Sequence, residues 1–450
     1  MTTPRVVDLH DADSLVSADA AALLPSCALA GAQVRSVAEQ LAAWPAVDRP
    51  RALVVVGATA SVDAALLSAL IGENPSCPVV AAAGLPGWVG PLDIVVVFAA
   101  AVDDMTAARA AAGANRRGAR VVVRAAAVGP VAEAAEAALF EPLISVTEAL
   151  AGTARLTVLA SVAAAAGLYQ RPDFAEAAQQ LDAMAMACHP SSEFFVNPAL
   201  TLAEQLATGT PLLIGTDAVA DALAAHATRS LAGLAGIAGS WLSCGQAVGS
   251  PPVLARAAAR DGGGATASSD IFWDPYNDDE SASGQQISPV LVVGPSIDSV
   301  VGRLTNSGLL PEVEPVFGAQ HPAPRSPLAA ALEAALPRAM CIGPEELPSP
   351  DREMTGNELD RDSVHRPTGL AVRDAFAWTV AMMCRIDFAA VYVGLLTAAR
   401  MPVDSPDGLG RPGRAAVHRP AAGDRGPAAG IEPPSRTAPA DDEEESGSWS

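Results

Sequence analysis

Lysine is missing from all 450 residues, so the 28 basic side chains are arginines. Chemistry that depends on a lysine amine or ammonium is thereby excluded: Schiff-base aldol cleavage, pyridoxal-phosphate catalysis and the P-loop grip on nucleotides. Aromatic residues are scarce, at 4% of the chain, and only 17% of residues are charged against 50% apolar. Cysteine is sparse as well. Cys27, Cys77, Cys188, Cys244, Cys341 and Cys384 lie far apart with no CxxC spacing. They therefore suggest neither a metal site nor a disulfide framework, and read as isolated buried thiols.

Positive charge is short too: 50 acidic residues leave a net charge of −22. The clustered cations that neutralise phosphate backbones are wanting, and no nucleic-acid partner is expected. Apolar stretches are broken by Gly, Pro or charge before about 18 residues, which speaks against a membrane partner. The N-terminus carries Asp8, Asp11 and Asp13 instead of a basic segment followed by an apolar run. A cytoplasmic protein without a signal peptide or cofactor is the expectation.

What is present is an alternation of short apolar runs with helical periodicity. Apolar spacing from Asp13 to Trp44 predicts a leading helical segment. Ala52 to Gly57 is an all-apolar run of the kind buried on both faces of a parallel sheet, and a helix pattern follows from Ser61 to Leu70. Further strands are expected over Pro78 to Ala83, Asp93 to Phe98 and Ala119 to Arg124, with a helix over Met105 to Arg117. An Ala-rich helical stretch from Val131 to Leu168 leads to a second such region. There the pattern predicts a helix over Asn197 to Ala207 and a strand from Pro211 ending at Gly215. A helix from Asp217 to Gly233 follows, then strands over Val290 to Val293 and Glu314 to Phe317, and a long buried helix over Ala375 to Ala398. The fold class is α/β: two tandem doubly wound parallel-sheet lobes with right-handed crossovers. Residues 1–150 hold the helical segment and the first lobe, and 151–400 the second lobe with irregular insertions near 261–286 and 343–368. Residues 401–450 form an acidic tail too poor in apolar residues to fold, and it reads as disordered.

Ligands of such sheets bind at the carboxyl ends of the strands. Gly57 allows a tight turn there, and Thr59 or Ser61 offers a hydroxyl beside free helix amides, either for a phosphate or as an ordinary N-cap. At the end of the next inner strand, Asp103 and Asp104 precede a helix, where they cap it and would repel a phosphate. His189 and Glu193 lie just before Asn197, suited to sugar binding or to packing between lobes. Arg155 and Arg229 read as cations for a phosphate or as surface arginines, and His226 as a solvated or capping residue. The segment from Asp270 to Tyr276 mixes aromatics with acids, which fits a partner, a stacked sugar or its own lobe.

Several of these segments resemble one family. Val54-Val55-Val56-Gly57 with Ser61, then Cys77 to Val80 and Leu85 to Pro91, is similar to the first sugar isomerase (SIS) domain of bifunctional phosphoglucose/phosphomannose isomerases. Asn197-Pro198-Ala199 through Gly215 resembles the opening of that family's second SIS domain, and Ile386 to Tyr392 its last helix. The likeness spans roughly residues 40 to 400 and is nearest to the TobH-like branch. It implies a sugar-phosphate site between two lobes, usually in a homodimer, and aldose-ketose isomerisation by proton transfer. Gly57, Thr59, Ser61, His189, Glu193 and Asn197 are the substrate-binding candidates.

The chain departs from the family's chemistry. Its first phosphate loop has Thr59 and Ala60 where the family has glycines, and the hydroxyl-rich second loop falls on Ala99 to Asp104, where no hydroxyl remains. The family's catalytic glutamate and histidine have no counterparts: between Gln205 and Asp279 there is no glutamate, and the sole histidine is His226. No general base can be named. The expectation is a phosphosugar-binding protein of this family with reduced or lost isomerase activity. Two alternatives stand beside it: an active isomerase with relocated acid and base groups, and a non-enzymatic scaffold or regulator.

Overall fold

The computed structural model of the chain describes residues 7–42, 44–72, 75–135, 139–258, 287–294, 332, 335, 336, 339–343 and 375–400. Three short helices, α1 (Ala12–Ala18), α2 (Leu23–Ala28) and α3 (Ala30–Gln40), replace the single leading segment. The first lobe then runs β1 (Ala52–Val56), α4 (Ala60–Ile71), β2 (Val79–Ala82), β3 (Asp93–Phe98), α5 (Met105–Arg116), β4 (Arg120–Arg124), α6 (Pro130–Ala135) and β5 (Leu139–Phe140). All five strands are parallel, in the order β2-β1-β3-β4-β5. Every residue of β1 and β3 is buried, because helices cover both faces of these central strands.

The Ala-rich stretch expected as one helix from Val131 to Leu168 is broken. It divides into α6, β5, a 3-10 turn (Glu148–Leu150) and α7 (Gly152–Ala165). High alanine content favours helix everywhere in the segment, but Pro142 and the pairing of Val123 with Leu139 in the sheet override it locally.

After α8 (Phe174–Ala187) and α9 (Pro198–Ala207), the second lobe comprises β6 (Thr210–Gly215), α10 (Ala218–Ser230) with a π turn (Leu231–Ala235), β7 (Ser240–Ser243), α11 (Cys244–Val248), α12 (Pro251–Ala258), β8 (Ile287–Val292) and β9 (Met340–Ile342). Its strands are parallel in the order β7-β6-β8-β9, the same winding as the first sheet. The tandem parallel-sheet architecture read from the sequence is therefore present. The expected strand from Glu314 to Phe317, both insertions apart from Gly343, the Asp270 to Tyr276 segment and the tail lie outside the described residues.

Alternation along the strands divides the core. Leu53, Val55, Ile94 and Val96 of the first sheet, with Leu213, Val290 and Val292 of the second, face one continuous central core. The opposite faces pack on separate layers: α5 and α6 for the first sheet, α11 and α12 for the second. Through the central core runs α13 (Ala375–Arg400), which packs on α8, α9 and α10. It is long and apolar enough to cross a membrane by length and composition, yet 89% of that window is buried within the protein. Trp378, Phe376, Phe388 and Tyr392 are among its fully buried side chains, as expected of a core helix that is apolar all round.

None of the six cysteines forms a disulfide among the described residues, and all but Cys341 are buried. Cys27, Cys188 and Cys384 are not isolated from one another, however: each of the other two acts electrostatically on Cys27. Burial pushes the Cys188 thiol up to about 12, which leaves it a poor nucleophile.

Candidate functional site

In the first sheet the strand order reverses between β1 and β3, the place where a parallel sheet opens a crevice for ligands. Gly57 sits there with φ +151, and a Cβ added to it would lie 2.7 Å from the Phe98 carbonyl oxygen. Only glycine lets the exit loop of β1 lie this close to the end of β3. Thr59 occupies the N-cap position of α4, but its hydroxyl donates to the Asp63 carboxylate instead of accepting an amide. Ser61 is exposed in the first helical turn.

On the β3 side, Asp104 caps α5. Its carboxylate accepts from the amides of Thr106 and Ala107, each at 3.0 Å, and from Ala100 at 3.3 Å. In a phosphate loop these amides would be left for the anion. Here a negatively charged side chain of the chain itself holds them.

The remaining substrate-binding candidates lie elsewhere. Asn197 is fully buried; its side chain accepts from Ala199 and Leu200 at 3.0 Å and donates to the His189 carbonyl. It thus caps α9 and ties down the α8–α9 connection. His189 and Glu193 are exposed on that connection, with His189 Nδ1 2.7 Å from the Ser191 hydroxyl. His189 borders a groove of about 470 Å³ formed with Ala28, Asp182, Ala185, Met186 and Ser191. This groove lies on α2 and α8, not at the carboxyl end of either sheet. No hydrogen bond among the described residues joins the His189–Asn197 group to the Gly57–Ser61 group.

Between the switch-point helices the structure assembles a charged cluster. Arg155 is 1% exposed, not a surface residue as the sequence suggested. Its Nε donates to Asp63 Oδ2 at 2.9 Å, and its Nη1 donates to the Glu148 carboxylate at 2.5 Å and carbonyl at 3.0 Å. Arg229, the other expected surface arginine, is half-buried beside them, and burial followed by repulsion from Arg155 lowers its pKa. Glu148 is half-buried; burial pushes its carboxyl up, against the pull of Arg155 and then of Arg124.

His226 is likewise neither solvated nor capping. It is 2% exposed, with Nε2 2.9 Å from Asp387 Oδ1, the same oxygen that accepts from the Ser230 hydroxyl at 2.7 Å. Seclusion from solvent makes this trio a tie between α10 and α13. It cannot act as a nucleophilic triad on any external substrate.

Asp63 and Glu148 were missed by sequence reasoning, although one signal for Asp63 was present. Gly57, Thr59, Ala60 and Asp63 recur in spacing as Gly215, Asp217, Ala218 and Asp221. Both sets follow the strand beside the switch point, and α4 packs against α10. Asp217 caps α10 through the Ala220 amide at 2.9 Å. Unlike Asp63, Asp221 has no arginine partner among the described residues: its Oδ1 is buried without a hydrogen bond there, and burial, then Asp217, raise its pKa to about 6.

A raised carboxyl pKa has a definite consequence for stability. Below the unfolded value of 3.8 both states hold the proton. As the pH rises, the unfolded chain ionises first, so Asp221 destabilises the fold progressively until about pH 6 and fully above it. A shift of this size corresponds to about 3 kcal/mol for a sealed group, and about 1 kcal/mol after allowance for its partial exposure. Asp221→Asn is expected to be about 1 kcal/mol more stable than the parent at pH 8, with the gain shrinking toward pH 4. Urea denaturation across that range measures it, and an unchanged difference at all pH values would refute it.

Neither a family model nor a curated protein matches the sequence. Among solved structures the chain is similar to the C-terminal domain of glucosamine-fructose-6-phosphate aminotransferase from Francisella tularensis, at 9% identity and a TM-score of 0.47 over 84% of this chain and 96% of that one. It is also similar to glucosamine-6-phosphate deaminase from Thermotoga maritima, at 10% identity and a TM-score of 0.45 over 83% and 93%. A glucose-6-phosphate isomerase-like protein from Thermus thermophilus matches at 14% identity and a TM-score of 0.42 over 86% and 93%.

Proposed function

We propose that this chain binds a sugar phosphate within the frame of a sugar isomerase and does not isomerise it at an enzyme's rate. The observation that supports the lost-turnover half of this reading most is Asp104, whose carboxylate holds the amides of Ala100, Thr106 and Ala107 after β3. A dianionic phosphate placed there would meet a fixed negative charge and no free donors. The sugar-phosphate part of the reading draws on the resemblance of the Gly57 and Asn197–Gly215 segments to the phosphoglucose/phosphomannose isomerases. The loss of turnover draws on the missing glutamate and histidine.

The test is direct. Purified protein incubated with fructose 6-phosphate, followed by NMR, is expected to form no glucose or mannose 6-phosphate above the buffer rate. Turnover near an ordinary enzyme's rate of about 10 per second would defeat the reading. One observation favours the alternative of a relocated acid or base: Glu148 is a half-buried carboxyl with a raised pKa at the carboxyl edge of the first sheet. On that alternative the assay gives product, and Glu148→Gln abolishes it.

A further inference from the structure

Exposed positive charge and exposed apolar surface meet at the amino-terminal edge of the first sheet, the edge opposite to Gly57. The connection from β2 to β3 brings Leu85 to Leu92 there and is pinned from two sides. Arg51, the residue before β1, donates through Nε to Asp93 Oδ1 at 3.0 Å and through Nη2 to the Trp88 carbonyl at 2.8 Å. Its guanidinium lies 5.4 Å from the centre of the Trp88 ring. Arg117, just past α5, donates to the Pro86 carbonyl at 2.7 Å. Gly113 and Gly118, at the same end of α5, pack against Leu85 and Pro91.

Outward this loop presents Trp88, 48% exposed, and Leu92, 71% exposed. Beside them stand the exposed Arg116, which ends α5, and Arg120, which opens β4 in register with Ile94 of β3. Among the described residues Arg116, Arg117 and Arg120 form no ion pair. Asp93 does not neutralise them, because it is buried and its carboxylate is taken up by Arg51 and the Gly90 amide. An indole held in one orientation by a stacked guanidinium loses little further freedom on contact, and tryptophan and arginine are the side chains that most often anchor interfaces. The surface is cationic in a chain of net charge −22. An extended polyanion would be repelled by the rest of the molecule. A short acidic segment lying within about 8 Å of the arginines, the screening length in physiological salt, responds to them alone.

We propose that the surface formed by Trp88, Leu92, Arg116, Arg117 and Arg120 docks an acidic polypeptide segment that carries an aromatic or leucine side chain. The carboxylates pair with guanidinium groups that have no partner of their own, and the apolar side chain covers Trp88 and Leu92. This surface lies at the other edge of the sheet from the sugar-phosphate site proposed above, and neither depends on the other.

The experiment titrates the full chain at low ionic strength into a fluorescein-labelled peptide of sequence Glu-Glu-Phe-Glu-Glu-Leu-Glu, followed by fluorescence anisotropy. Saturable binding is expected, weakening as salt is added. Arg116→Glu combined with Arg120→Glu should weaken it about tenfold or more, and Trp88→Ala about tenfold. Melting temperatures should stay close to the parent's, because none of the three side chains is buried. Alanine in place of Phe and Leu in the peptide should weaken binding to the parent and have little further effect on Trp88→Ala, as a shared contact requires. Should Trp88→Ala loosen the loop, the arginine double variant and the altered peptide carry the test. Absence of saturable binding, or binding that neither the arginine nor the peptide substitutions change, overturns the site. A single-stranded oligonucleotide or a phosphatidylserine vesicle bound more tightly than the peptide, through the same arginines, overturns the acidic polypeptide as its occupant.

Discussion

Asp63→Ala is expected to lower the stability of the protein by about 3–5 kcal/mol, read as a reduced urea midpoint at unchanged slope. The carboxylate is 2% exposed and receives both the Arg155 Nε–H at 2.9 Å and the Thr59 hydroxyl. Removing it strands a buried guanidinium on α7, with the half-exposed Glu148 as its one remaining partner among the described residues. Most of the loss comes from that stranded charge and not from the worth of the pair itself. The double variant Asp63→Leu with Arg155→Met should therefore recover most of it, since well-packed apolar residues often replace a buried ion pair without loss. A double variant as unstable as Asp63→Ala would mean that the pair contributes through its own attraction and not through the cost of a stranded charge.

The elements legible in the sequence are those whose environment is uniform along their length. β1 and β3 are apolar at every position apart from Asp93, because helices cover both faces. Asp93 is the exception that ends the run, and it is matched by Arg51, whose Nε donates to it at 3.0 Å. Of the four edge strands only β2, expected over Pro78 to Ala83, was legible. β5 has two residues and β9 three, and β7 reads Ser-Trp-Leu-Ser with its first two positions exposed. Such strands are defined by the neighbour they pair with, which no local pattern encodes. Helix α8 was overlooked, although Asp173 caps it through the amides of Ala175 and Glu176.

The site divides in the same way. Asp104 was legible as a cap, and Asp217 as a helix start, because a cap is a contact of two or three residues' span. Arg155 was not legible as a buried residue, because its partner Asp63 lies 92 positions away. An arginine in an Ala-rich helix looks like a solvated charge until tertiary packing brings the carboxylate to it. His226 fails for the same reason, with Asp387 161 positions distant. Distant pairs were invisible except through the repeated spacing of Gly57 to Asp63 and Gly215 to Asp221. That repeat points to the switch-point helices of both lobes and distinguishes them by one feature: among the described residues Asp63 has an arginine partner and Asp221 has none.

The largest expected gain of function comes from Asp104→Ser. In the native chain the carboxylate takes the amides of Ala100, Thr106 and Ala107 and presents negative charge to anything entering the loop. Serine remains a competent N-cap, so α5 should keep its start and the melting temperature should fall little. Its shorter side chain frees at least one amide and removes the charge. Two unit charges about 4 Å apart near a protein surface interact by about 4 kcal/mol. Allowing for the partial exposure of Asp104, about 2–3 kcal/mol of repulsion is relieved, or roughly 30- to 160-fold in affinity for inorganic phosphate. Calorimetry on the variant measures it. Equal phosphate affinity in Asp104→Ser and the parent would show that the loop is closed to anions for some reason other than its own carboxylate, and the account of why the native loop has lost its grip would have to be abandoned.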